Sequence, residues 1–163
     1  MKKPLAVASV ILALLVAAVA TAQDAKPNFS GTWNMDPAKS DFGPAPAPDS
    51  IVVTIEHTGP TIKITTTQKS AMGDVRNERT LSTDGKEAIN KMKTMVGDAD
   101  MKSTSKWDGR NLVTASHLDV QGDSVDFHDV WTLSEDGKVL TTAREVVTPQ
   151  QTFATKIVFN KQP

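Results

Sequence analysis

The chain has 163 residues, with 18 Lys and Arg against 19 Asp and Glu and a formal net charge of −1. It holds no cysteine, which excludes thiol chemistry, disulfides and cysteine–metal centres. The near balance of charge, with no basic patch, argues against nucleic acid as a partner and against an anionic membrane surface.

The chain opens with two basic residues, Lys2 and Lys3, then an apolar run from Pro4 to Val19, then Ala20-Thr21-Ala22. This is the three-part layout of a secretory signal peptide over residues 1–22, with cleavage after Ala22. The apolar run, about 16 residues, falls short of the roughly 20 that span a bilayer, so no stable membrane insertion is expected after cleavage. Removing residues 1–22 from the 163 leaves 141, and losing Lys2 and Lys3 takes the formal charge from −1 to −3. A chain of that size makes one domain, residues 23–163, with a core of its own. The expected location is outside the cytoplasm, in the periplasm or the medium.

Strand-like sequence begins at once with "NFSGTWNMD" (28–36). The next stretch, "DPAKSDFGPAPAPDS" (36–50), carries four of the nine prolines. It cannot be a central strand, because proline has no donor for the ladder. It reads as an irregular crossover with one helical turn at Pro37–Ser40, able to lie over one end of a barrel. "SIVVTIEH" then puts Ile51, Val53 and Ile55 on one face. "TGP" (58–60) breaks it, and "TIKITTTQK" sets Ile62 and Ile64 against Lys63 and Thr65. Period-two alternation across such a break predicts a hairpin with one buried side.

The same syntax recurs in "RTLSTDGKEA" (79–88), "KWDGRNLV" (106–113) and "WTLSEDGKVL" (131–140). Each places Asp-Gly between strand-like runs, a hairpin-turn signal. The irregular spacing makes this recurrent turn chemistry and not a solenoid. "GKEAINKMKTMVG" (85–97) fits a short helix with Met92 and Met95 inward, or equally a strand followed by a loop. About nine strands with short connections predict an up-and-down barrel in preference to a sandwich. A meander of this length removes its edges by closing on itself.

Three stretches carry a resemblance. "FSGTW" (29–33) matches a G-x-W opening strand with Gly31 and Trp33 in the motif places. "KWDGRNLV" looks like a central hairpin, and "FATKIVFNKQ" (153–162) looks like a last strand. Together these resemble the calycin superfamily, the lipocalins and fatty-acid-binding proteins. They also resemble exported bacterial lipocalin-like domains of unassigned function that open with "SGTW…P-x-K-S-D-F-G". The resemblance implies that Trp33 packs at the closed end of a barrel under a cation, for which Lys156 and Arg144 are the candidates. It also implies departures. The crossover is too short for the fatty-acid-binding proteins' helix-turn-helix lid. Ile157 and Phe159 stand where that group holds a lipid carboxylate with Arg and Tyr. Met35 and Pro37 replace the later glycines of haem-binding relatives, so no haem or other cofactor is expected.

Six residues are candidates for ligand contact. Trp107 shares a face with Met101, Ser103 and Ser105, a mixture that suits a cavity as well as a modest core. Trp131 borders a strand in the same way. Arg79 and Arg144 lie in strand-like runs, where an inward guanidinium meets a ligand's anion and an outward one pairs with a surface carboxylate. His117 lies on a strand next to that of His128, with Asp119 and Asp126 in the same hairpin, but without the ligand spacing of a metal site. No nucleophile elbow, phosphate loop or H-E-x-x-H helix is present, so an enzyme is not the expected reading.

The fold expected is all-β, an antiparallel up-and-down barrel of about eight to ten strands, wide enough to hold one small ligand. The function expected is binding of a small, largely apolar molecule. The alternative is a barrel filled by its own side chains and acting as an interaction or envelope-associated module with a protein partner. A barrel isomerase or hydrolase ranks third.

Overall fold

The structure, a computed structural model, describes residues 25–94 and 97–163. The expected signal peptide, its expected cleavage point and Met95 lie outside the described residues. The alternating residues form ten antiparallel strands. They are β1 (Gly31–Met35), β2 (Ser50–Thr58), β3 (Thr61–Lys69), β4 (Val75–Ser82), β5 (Ala88–Thr94), β6 (Gly97–Asp108), β7 (Asn111–Val120), β8 (Asp123–Leu133), β9 (Val139–Val147) and β10 (Thr152–Lys161). Within the segment 85–97, which fits a helix or a strand, Ala88–Thr94 forms strand β5. Between β1 and β2 the crossover contains a single 3-10 turn, Pro37–Lys39. No helix among the described residues is long and apolar enough to cross a membrane.

The spatial order is β4-β3-β2-β1-β10-β9-β8-β7-β6-β5. Chain neighbours pair throughout, except that β1 also pairs with β10 and β4 does not ladder with β5. The barrel is therefore nearly closed, with one seam. Side chains stitch that seam. The Asn77 amide accepts from Lys93 N at 2.7 Å and donates to Lys93 O at 3.2 Å. The Asn90 amide accepts from Thr80 N at 2.7 Å and donates to Thr80 O at 2.9 Å. Each amide stands in for one peptide of a missing strand pair.

Two of the three Asp-Gly frames make paired hairpins, β6–β7 and β8–β9. The third, at 84–85, does not. Gly85 N donates to Ser105 O at 3.0 Å and Asp84 bridges Lys106. The turn pairs with β6, so the chain leaves β3 and starts again beside a different neighbour.

The crossover continues the sheet where β1 stops. Asp36 N donates to Val158 O at 2.8 Å, and Asp41 and Lys156 exchange backbone bonds at 2.7 Å. Inward residues fill one end of the barrel with Phe29, Trp33, Ile55, Ile62, Leu81 and Leu112, each at most 2% exposed. The Trp33 indole N–H, fully buried, donates to Phe29 O at 2.9 Å. The cation over Trp33 is Lys161, whose Nζ lies 5.3 Å from the ring. Neither expected residue takes that place: Lys156 is exposed on the outer face, and Arg144 is held inside by Asp129.

Candidate functional site

Above the packed end the inward faces of β2, β3, β9 and β10 leave a cavity of about 220 Å³. Its wall is apolar where Ile51, Val53, Leu140, Ile157 and Phe159 face it, and Met92 and Met101 close it from β5 and β6. Ile157 and Phe159 thus occupy the last-strand positions as plain wall. Two guanidiniums enter the same space, Arg79 from β4 and Arg144 from β9.

The two arginines are in different electrostatic states. Asp129 on β8 lies opposite Arg144 in the ladder. Arg144 Nε donates to Asp129 Oδ1 at 2.5 Å and Nη2 donates to Oδ2 at 2.8 Å, a bidentate fork that satisfies both carboxylate oxygens. Asp129 is 1% exposed. Burial alone would push its carboxyl up, but the charge and hydrogen bonds of Arg144, with a smaller part from Arg79, hold it below the usual carboxylate range. Burial likewise works against the charge of Arg144, and Asp129 outweighs it, so its pKa lies above the ordinary value. Arg144 also lies over Phe127, with 4.9 Å from Cζ to the ring centre.

Arg79 has no such partner. Its Cζ lies 5.7 Å over the Trp131 ring, and it makes no side-chain hydrogen bond or ion pair with a described residue. Burial draws its guanidinium down to about 10, with Asp129 acting the other way and Arg144 reinforcing the fall. It is charged at neutral pH, and its guanidinium donors face the cavity.

Four of the six candidates therefore meet at this cavity: Arg79, Arg144, Met101 and Trp131. Trp131, 3% exposed, links cavity and packed end through an edge contact to Phe29 at 5.6 Å. Trp107 lies elsewhere, at the packed end. It stacks on Phe29 at 5.8 Å and lies under Lys26 Nζ at 5.8 Å. Beside it an outward cleft of about 370 Å³ runs between His57 and Thr83. His117 is on the outer face, its Nδ1 2.7 Å from Asp126 Oδ1 and its Nε2 3.3 Å from Asp119 Oδ1. Ser103 and Ser105 face inward and are buried. They bond to Ser116 and Thr114, each across 2.8 Å.

Asp129 was absent from the candidate set. Its signal was present: it shares the inward parity of Phe127 and Trp131, and a carboxylate on an inward face requires a partner.

No family model matches the chain. No curated protein matches it either. Solved structures do. A secretory abundant heat soluble protein from Ramazzottius varieornatus superposes with a TM-score of 0.57 at 14% identity, over 82% of this chain and 94% of that one. The zebrafish ileal bile acid-binding protein complexed with cholic acid superposes with a TM-score of 0.50 at 20% identity, over 82% and 98%. The fold is calycin-like. At these identities the likeness speaks for the barrel, and function has to be argued from the cavity.

Proposed function

We propose that this protein is an exported binder of a small, largely apolar molecule carrying one negative charge, held in the barrel cavity with its anionic group on Arg79. The observation that carries the reading is Arg79 itself, a charged guanidinium without a side-chain hydrogen-bond partner among the described residues, set in a cavity that joins an apolar wall of Ile, Val, Leu, Met and Phe to polar groups such as Thr66, Gln68 and Thr142. Arg79 is half-buried and its unpartnered nitrogens keep contact with solvent; a ligand carboxylate replaces that water with a charge-assisted, two-point contact. The apolar wall contributes desolvation of the tail. The cholic acid complex of the zebrafish barrel supports a calycin-like barrel as a home for an amphipathic anion. The cavity of about 220 Å³ lies below the roughly 300–1,000 Å³ of drug-sized sites, which favours a compact ligand. Space of that size also favours a carrier over a barrel filled by its own side chains. Export rests on the layout of residues 1–22.

The test is native mass spectrometry of the mature protein purified from its own compartment, followed by organic extraction. The expected result is a near-stoichiometric small acid released on denaturation. A mass equal to the bare chain in every preparation, with no acid in the extract, contradicts the reading.

A further inference from the structure

Among the described residues, three charged side chains meet at the cavity, and they come from three strands: Arg79 on β4, Asp129 on β8 and Arg144 on β9. Asp129 commits both oxygens to Arg144 and is shut off from solvent. Its charge is therefore permanently assigned to the interior. Two guanidiniums face one carboxylate, and one positive charge is left, localised on Arg79.

From this count we infer that Asp129 is the residue that sets the ligand's charge, restricting the cavity to monoanions by masking one of two arginines. The inference rests on the reading of the cavity as an anion site and extends it to a selectivity rule. A monoanion on Arg79 leaves the enclosure neutral. A dianion leaves one negative charge without a matching cation in a cavity partly shielded from water. A neutral amphiphile leaves the donors of Arg79 unpaired. Without the Asp129 carboxylate, the Arg144 fork, which lies on the cavity wall, is released from its partner and is available to a ligand as a second cation. The site then suits a doubly charged head such as a phosphate monoester, because selectivity between partners comes from the mismatched charge as much as from the matched one.

The experiment compares octanoate with octyl phosphate, which share a chain, by titration calorimetry near pH 8, where the phosphate monoester carries about two charges. Wild-type protein binds octanoate more tightly by about tenfold or more, the scale of a close charge mismatch. Asp129→Asn reverses the order. The double variant Asp129→Asn/Arg144→Met, which has one cation again and removes the buried pair as a unit, returns the preference to octanoate. Should Asp129→Asn fail to fold, the double variant decides, since a preference for octyl phosphate there overturns the inference. An unchanged preference in a folded Asp129→Asn protein overturns it as well. If in that case octanoate binding still depends on Arg79, the anion-site reading survives alone. A wild-type protein that binds neither octanoate nor octyl phosphate removes both.

Discussion

At Gly31 the backbone takes φ +141°, and a Cβ there would lie 2.6 Å from Lys161 Cε. The glycine is what lets the lysine stem cross the strand and place its ammonium over Trp33. Gly31→Ala should destabilise the protein by about 1–3 kcal/mol through strain and displace Lys161, read as a lower urea midpoint and a changed Trp33 emission. The two paired histidines make opposite demands on pH. His57 Nδ1 accepts the Phe29 N–H at 3.3 Å, and burial lowers its pKa from 6.5. Its folded pKa lies below the unfolded one, so its contribution is present above about pH 6.5 and is lost as pH falls through the lowered value. His117 is raised from 6.5, first by its hydrogen bond to Asp126. Its contribution is present below about pH 6.5 and is lost as pH rises through the raised value. As pH falls through a range centred on about 6.5 the two oppose each other. Thermal midpoints across that range should show His57→Gln less sensitive to acid than wild type and His117→Gln more sensitive. Matching profiles for all three proteins would contradict the assignment. Arg79 was legible as a candidate because it sits in a strand. Its inward direction was only weakly legible, because the apolar residues that share its parity, Val75 and Leu81, stand at the two ends of the strand with Asn77 and Arg79 between them.

The strands themselves were legible wherever one face is apolar. "SIVVTIEH" and "TIKITTTQK" give both the pairing and the buried side, since a slip of one residue would put Ile51, Val53 and Ile55 into water. The seam between β4 and β5 was not. The Asp-Gly frame at 84–85 matches that at 136–137, yet only the latter closes a ladder. A turn sequence reports a local backbone path and says nothing of which edge lies alongside. What holds the seam is two asparagines, and their side chains carry four bonds to the facing backbone. At about 0.5–1.5 kcal/mol per hydrogen bond, Asn77→Ala and Asn90→Ala should each destabilise by about 1–3 kcal/mol. Hydrogen exchange should place the loss locally: the Lys93 amide loses protection in Asn77→Ala and the Thr80 amide in Asn90→Ala. Unaltered protection at both would show that the seam is held by other contacts.

Over the whole molecule, apolar packing is concentrated at one end of the barrel and the polar interior at the other. Phe29, Trp33, Trp131 and Leu112 exclude water below. Above them Arg79, Asn77, Thr66, Gln68 and Thr142 line the same cavity as Ile51 and Phe159. A barrel selected for stability alone would fill that space with apolar side chains. Arg79→Met should therefore leave the empty protein at least as stable as the wild type, while removing the group on which the anion is held. The most direct test is paired calorimetric titration of wild type and Arg79→Met with octanoate and octanol. The account predicts that wild type binds octanoate more tightly than octanol by about tenfold or more, the scale of a charge-assisted pair. Arg79→Met should retain octanol binding and lose the difference. Equal affinity of both proteins for octanoate would contradict the central claim.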